Sequence, residues 1–92
     1  MAKLTPDQIS AALPSVKDWK NLNAEIRRTF QFKDFVAAME FVNRVARVAE
    51  EAKHHPDIDI RWNKVTLTLS THSEGGLTAK DFDLAKQIDA LT

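Results

Sequence analysis

FVAAMEFVNRVARVAEEAKHHP, the stretch Phe35–Pro56, decides the fold. Phe35, Ala38, Met39, Val42, Val45, Ala46 and Ala49 recur at the three- and four-residue spacing of one buried face, which predicts a long helix over 35–53. Phe41 and Val48 widen that stripe enough to meet a second partner, while Arg44, Arg47, Glu50 and Glu51 form the polar side. Such a stripe of Met and aromatic residues belongs to a core. Pro56 disfavours the α conformation at His55, so the helix must stop here. His54 is expected in or near the last turn and His55 extended, which sends two adjacent imidazoles in different directions. Glu50, four residues before His54, shares its face and is expected to reach its ring.

Downstream the period changes from helical to two. Ile58, Ile60 and Trp62 alternate with Asp59 and Arg61, and Val65, Leu67 and Leu69 alternate with Thr66, Thr68 and Ser70. Asn63-Lys64 between them suits a two-residue turn, giving a hairpin. The second strand runs into Thr71-His72-Ser73 and then Glu74-Gly75-Gly76, which holds both glycines of the chain. Thr78 and Asp81 form a capping-box variant that opens a last helix. Its inner face is Phe82, Ala85, Ile88 and either Leu84 or Leu91.

Upstream, Thr5-Pro6-Asp7-Gln8 has the cap, first-turn proline and capping-box glutamine of a helix start. Ile9, Ala12 and Leu13 face inward, and Pro14 soon ends the helix, which reads as a structural lid over one sheet edge. Trp19–Leu22, a turn at Asn23 and Glu25–Phe32 predict a first hairpin, with Ile26, Thr29 or Phe30 and Phe32 alternating. Arg27 and Arg28 read as a solvated strand face. The order α-β-β-α-β-β-α implies an α+β fold, a four-stranded antiparallel sheet with helices packed on one face. Nothing repeats and no linker divides the chain, so residues 1–92 form a single domain. The sheet keeps exposed edges that invite pairing with another chain.

Composition narrows the functions. With 13 basic against 13 acidic residues, the chain lacks the net positive charge of a nucleic-acid binder. There is no cysteine for a disulfide or a thiolate metal site. No apolar run approaches the roughly 20 residues of a membrane span, and the first residues lack the apolar core of a signal peptide. A cytoplasmic protein with no membrane contact is expected.

The chemistry gathers at the element ends. His54 and His55 precede the first strand of the second hairpin and His72 follows its second, so all three imidazoles should meet on one rim. Asp81 enters from the last helix, either capping it or orienting an imidazole, and sequence leaves both open. Histidine has the unperturbed pKa nearest neutral, which suits proton transfer in both directions. No Ser-His-Asp arrangement is evident, so acid–base chemistry without a covalent step fits best. The rival readings are structural histidines at turns, a zinc site using His, His and a carboxylate, and a protein-binding module. Adjacent histidines that diverge make poor joint metal ligands, and no metal is expected.

At these residues the chain resembles the pterin-4a-carbinolamine dehydratase family. That family's signature is an acidic residue, three residues, His-His-Pro, a downstream aromatic, then a His and a later Asp. Here it reads Glu50, His54-His55-Pro56, Trp62, His72 and Asp81. Trp62–Val65, Leu69–His72, Gly76–Asp81 and the phenylalanine-rich Phe30–Phe35 extend the resemblance over essentially the whole chain.

The resemblance implies a hydro-lyase that dehydrates 4a-hydroxytetrahydrobiopterin to the quinonoid dihydropterin, recycling the pterin of aromatic amino acid hydroxylases. It implies no metal or organic cofactor, and assembly as a homodimer or homotetramer. His54 and His72 would be the acid–base groups, and His55 would bind or protonate substrate. Glu50 and Asp81 would orient imidazoles or contact the pterin, and backbone around Ser70 and Thr71 would hydrogen-bond its ring. Animal members tend to carry an aromatic residue where this chain has Ile58, a change in a pocket wall or an oligomer contact. The alternative function is a dimerisation module acting as a transcriptional cofactor, a second role known in animal members.

Overall fold

The computed structural model describes residues 2–92. Helices α1 (Pro6–Ala12), α2 (Phe35–Ala52) and α3 (Ala79–Asp89) alternate with strands β1 (Lys20–Asn21), β2 (Ile26–Gln31), β3 (Asp57–Arg61) and β4 (Lys64–Leu69). The strands form one antiparallel sheet in the order β1-β2-β4-β3, so the two hairpins join through β2 and β4. The α+β order expected from sequence is the observed one. Short 3-10 turns at Leu13–Val16 and His72–Glu74 complete the path.

Both predicted capping boxes form. Thr5 Oγ1 accepts from the Gln8 N–H at 3.2 Å, and Gln8 Oε1 accepts from the Thr5 N–H at 2.8 Å. Thr78 and Asp81 do the same for α3. These bonds satisfy amide donors that a helix start otherwise leaves without partners.

Ile26, Phe30, Val65, Leu67 and Leu69 line one sheet face and join Phe41 and Val45 of α2 and Leu84, Ala85 and Ile88 of α3 in one buried cluster. Each large side chain buried there contributes about 1.5–3 kcal/mol. Phe30 and Phe41 rings lie 4.7 Å apart, and Phe32 and Phe41 rings 4.9 Å apart. On the opposite face Thr29 and Thr66 share a hydroxyl–hydroxyl bond of 2.8 Å in the open.

Several local expectations change. The buried face of α2 is Ala38, Phe41, Val42, Val45 and Ala49, with Phe35 and Ala46 turned outward. Phe41, read as widening the stripe, is its centre: a ring there stacks on Phe30 and Phe32, a contact periodicity alone does not weigh. β1 is only two residues long, and Trp19 leaves the strand to become core. Its Nε1–H donates to Asp89 Oδ1 at 2.9 Å. Arg28 is not a solvated partner of Arg27. It stacks 4.2 Å from the Phe30 ring and reaches the same Asp89 oxygen at 2.7 Å.

The second turn also shifts by one. Arg61 pairs with Lys64, so Trp62-Asn63 is the two-residue loop. Trp62 has φ 51° and stands 66% exposed, whereas Asn63 turns inward and its side-chain N–H donates to the Phe32 carbonyl at 2.8 Å. Trp62 is therefore a turn residue and does not continue the strand alternation. Asn63 anchors the tip to the loop before α2.

Candidate active site

The end of α2 sets up the site. Lys53 adopts a left-handed conformation, φ 54° and ψ 40°, and ends the helix. Its N–H bonds back to the Glu50 carbonyl, and the next N–H, of His54, reaches the Ala49 carbonyl at 3.1 Å. This is a Schellman closure, in which Gly or Asn is the usual left-handed residue. The reversal at Lys53 takes His54 off the helix. The expected Glu50–His54 pair therefore does not form, because four-residue spacing brings side chains together only while the helix continues.

The carboxylates divide between the two imidazoles instead. His55 Nε2 lies 2.5 Å from Glu50 Oε2, and both side chains are largely exposed. His54 Nε2 lies 2.5 Å from Asp81 Oδ1, with Asp81 wholly buried. Asp81 Oδ2 also accepts from the Thr71 hydroxyl at 2.8 Å and from the Thr78 N–H at 2.9 Å. Thr71 Oγ1 and Thr78 Oγ1 are 2.9 Å apart. Of the two roles sequence left open for Asp81, capping and orienting, the carboxylate performs both, one with each oxygen.

The loop from β4 into α3 brings the third imidazole. Thr71 bridges to Gly76, its N–H donating to the Gly76 carbonyl at 3.0 Å, which closes a tight loop over His72–Gly75. Gly75 takes φ 73° where the 3-10 turn ends, a conformation glycine adopts without a side-chain clash. Ser70 Oγ donates to the Ala24 carbonyl at 2.8 Å and fastens the same end of β4 to the first hairpin.

These elements enclose an open cavity of about 330 Å³ lined by Lys53, His54, His55, Ser70, Thr71, His72, Ser73 and Lys80. That volume is within the range of small-molecule sites. All three histidines expected on one rim are there, with Ser70 and Thr71. Asp81 is not in the lining: it sits behind His54. The backbone bonds that close the loop occupy Thr71, so its amide is committed to Gly76. Sequence missed Lys53 and Lys80. Lysine carries no signal for a left-handed cap, and Lys80 counted only as a helix-start residue. Among the described residues no three His, Asp or Glu side chains are placed to share a metal ion.

Fold and site together define a small α+β protein with three imidazoles on the rim of one open cavity, one of them backed by a buried carboxylate. A family model described as Pterin 4 alpha carbinolamine dehydratase matches residues 2–91, and the chain belongs to that family. A relative from Acidobacterium capsulatum is 59% identical over 91 residues, covering 99% of both chains. Another from Nocardia farcinica is 58% identical over 88 residues, covering 96% of this chain and 93% of its own. Both carry the name "Putative pterin-4-alpha-carbinolamine dehydratase".

Among solved structures, a Brucella melitensis protein described as a transcriptional coactivator/pterin dehydratase superposes with a TM-score of 0.91. It is 36% identical, and 97% of each chain is covered. A pterin dehydratase-like RuBisCO assembly factor of the alpha-carboxysome shares the fold at a TM-score of 0.66 and 23% identity, over 79% of this chain and 84% of its own.

Proposed function

We propose that this chain dehydrates a 4a-hydroxytetrahydropterin to the quinonoid dihydropterin by general acid–base catalysis on the His54, His55 and His72 rim. The observation that carries the reading is the convergence of three imidazoles on one cavity, with Asp81 buried behind His54. In the reaction the C4a–O bond breaks, a proton joins the departing oxygen to make water, and a ring nitrogen gives up a proton as its double bond to C4a forms. One acid and one base on either side of C4a would supply about 10²–10⁴-fold each. His54 and His72 take these parts, and His55, held by Glu50, binds or protonates the substrate. Ser70 is assigned to the pterin ring, while Asp81 acts from behind His54 and the Thr71 hydroxyl acts through Asp81.

The pathway served is recycling of the pterin cofactor of aromatic amino acid hydroxylases, in the cytoplasm. Among the described residues no helix is long and apolar enough to cross a membrane, and the 13 basic and 13 acidic residues balance, which is consistent with a small-molecule substrate over nucleic acid. The test follows decay of 4a-hydroxytetrahydropterin and appearance of quinonoid dihydropterin by stopped-flow absorbance. Acceleration by wild type, lost in a folded His72→Ala variant, supports the reading. Wild type without any acceleration refutes it.

A second reading is a protein-binding module acting as a transcriptional cofactor, favoured by the open outer edge of β3, where Ile58 is exposed. The Brucella relative is described as both coactivator and dehydratase. The same edge is our candidate contact for a homo-oligomer. Antiparallel pairing of two copies centred on Asp59 sets Asp57 against Arg61 and Ile58 against Ile60. It also sets Asp59 against its own copy, a like-charge pair offset by the Arg61 guanidinium 3.2 Å away in the same strand. A heterologous complex that survives loss of all three histidines would support the second reading.

A further inference from the structure

We propose that Thr71 and Thr78 are positioning residues, links in a one-way chain of hydrogen bonds that fixes the proton of His54 on Nε2 and leaves Nδ1 as its reactive nitrogen. The functional part of this inference rests on the acid–base reading of the site. The direction of each bond follows from counting protons. An ionised carboxylate only accepts, so at the 2.8 Å contact with Asp81 Oδ2 the Thr71 hydroxyl must donate. A hydroxyl has one proton. The 2.9 Å contact between Thr71 Oγ1 and Thr78 Oγ1 must therefore be donated by Thr78. Thr78, its proton spent, accepts from the Lys80 N–H at 3.3 Å.

The chain thus begins at an amide of the first turn of α3 and runs through Thr78 and Thr71 to Asp81. Oδ2 is occupied by two donors, the Thr71 hydroxyl and the Thr78 N–H. Only Oδ1 remains to face His54, 2.5 Å from Nε2, and it too can only accept. Nε2 must then carry the proton. Nδ1 of His54 has no hydrogen-bond partner among the described residues, and His54 lines the cavity.

Thr78 and Asp81 have no exposed surface and Thr71 very little, so water cannot replace a missing link without repacking. Without the Thr71 hydroxyl, Asp81 keeps the Thr78 N–H but loses the bond that sets its rotation. The carboxylate can then swing away from His54 Nε2, and in that rotamer the imidazole proton is free to move to Nδ1. A merely structural Thr71 would affect stability and leave tautomer and turnover alone.

The experiment uses Thr71→Val, which keeps shape and removes the donor, Thr71→Ser, which restores it, and wild type. Histidine ¹⁵N shifts read the tautomer at a pH where His54 is neutral, and stopped-flow reads turnover. Expected are a pure Nε2–H tautomer in wild type, a mixture in Thr71→Val, and recovery in Thr71→Ser. In parallel, kcat falls by about 10- to 100-fold in Thr71→Val while KM stays within about twofold. A wild-type Nδ1–H tautomer overturns the proposal, whether or not the valine variant folds. So does a folded Thr71→Val with unchanged tautomer. If wild type shows the Nε2–H form but turns over no pterin, the dehydratase reading fails and the hydrogen-bond chain stands.

Discussion

Replacing Asp81 by asparagine separates the charge of the buried carboxylate from its shape. Asp81 accepts three hydrogen bonds at 2.5, 2.8 and 2.9 Å and has no exposed surface, so the amide must occupy the same space. Two of the three donors, the Thr71 hydroxyl and the Thr78 N–H, converge on Oδ2. The amide oxygen must stay with them, which turns the amide N–H toward His54 Nε2. A donor facing Nε2 forces the proton to Nδ1 and removes the free lone pair that general-base action needs. Loss of one correctly protonated imidazole costs about 10²–10⁴-fold in turnover. All three bonds also exchange a charged partner for a neutral one, at about 1 kcal/mol each. In a domain of this size each kcal/mol moves Tm by about 4–8 °C. We therefore expect Asp81→Asn to fold, to melt lower by circular dichroism, and to lose at least about 10²-fold in kcat by stopped-flow with KM little changed. A folded Asp81→Asn with wild-type kcat would refute the reasoning.

Three further outcomes follow from the packing. Trp19→Phe removes a donor to Asp89, leaves Arg28 as the other close partner of that oxygen, and trims buried volume. Urea unfolding should show a loss of about 1–3 kcal/mol with dehydration kinetics unaffected, because none of Trp19, Arg28 and Asp89 lines the histidine cavity. Lys53→Gly relieves a left-handed non-glycine residue and should raise stability by up to about 1 kcal/mol; an unchanged or lowered Tm would show the lysine makes a compensating contact. Ile58→Lys places a charge in the free edge of β3, and light scattering should then report dissociation of any oligomer built on that edge.

Much of this was legible wherever one local rule governed a segment. The Thr5/Gln8 and Thr78/Asp81 boxes marked two helix starts, and the alternation of Val65, Leu67 and Leu69 marked the inner face of β4. The convergence of His54, His55 and His72 followed from hairpin connectivity alone. What sequence could not give depended on backbone reversals without their usual residues. Lys53 adopts a left-handed conformation with no glycine or asparagine to announce it, and that one residue redirects Glu50 from His54 to His55. Trp62, an apparent strand residue, sits with positive φ in a turn because Asn63 is pulled inward to the Phe32 carbonyl. The two-sided use of Asp81 needed three elements in register, β4, α3 and the end of α2, which no spacing rule encodes.

The most direct test of the central claim compares wild type with His54→Ala/His72→Ala in stopped-flow decay of 4a-hydroxytetrahydropterin, with circular dichroism confirming that the double variant is folded. The account predicts acceleration by wild type and a rate at the uncatalysed level with the folded variant. Equal acceleration by both proteins would contradict it, placing any dehydration chemistry somewhere other than this histidine rim.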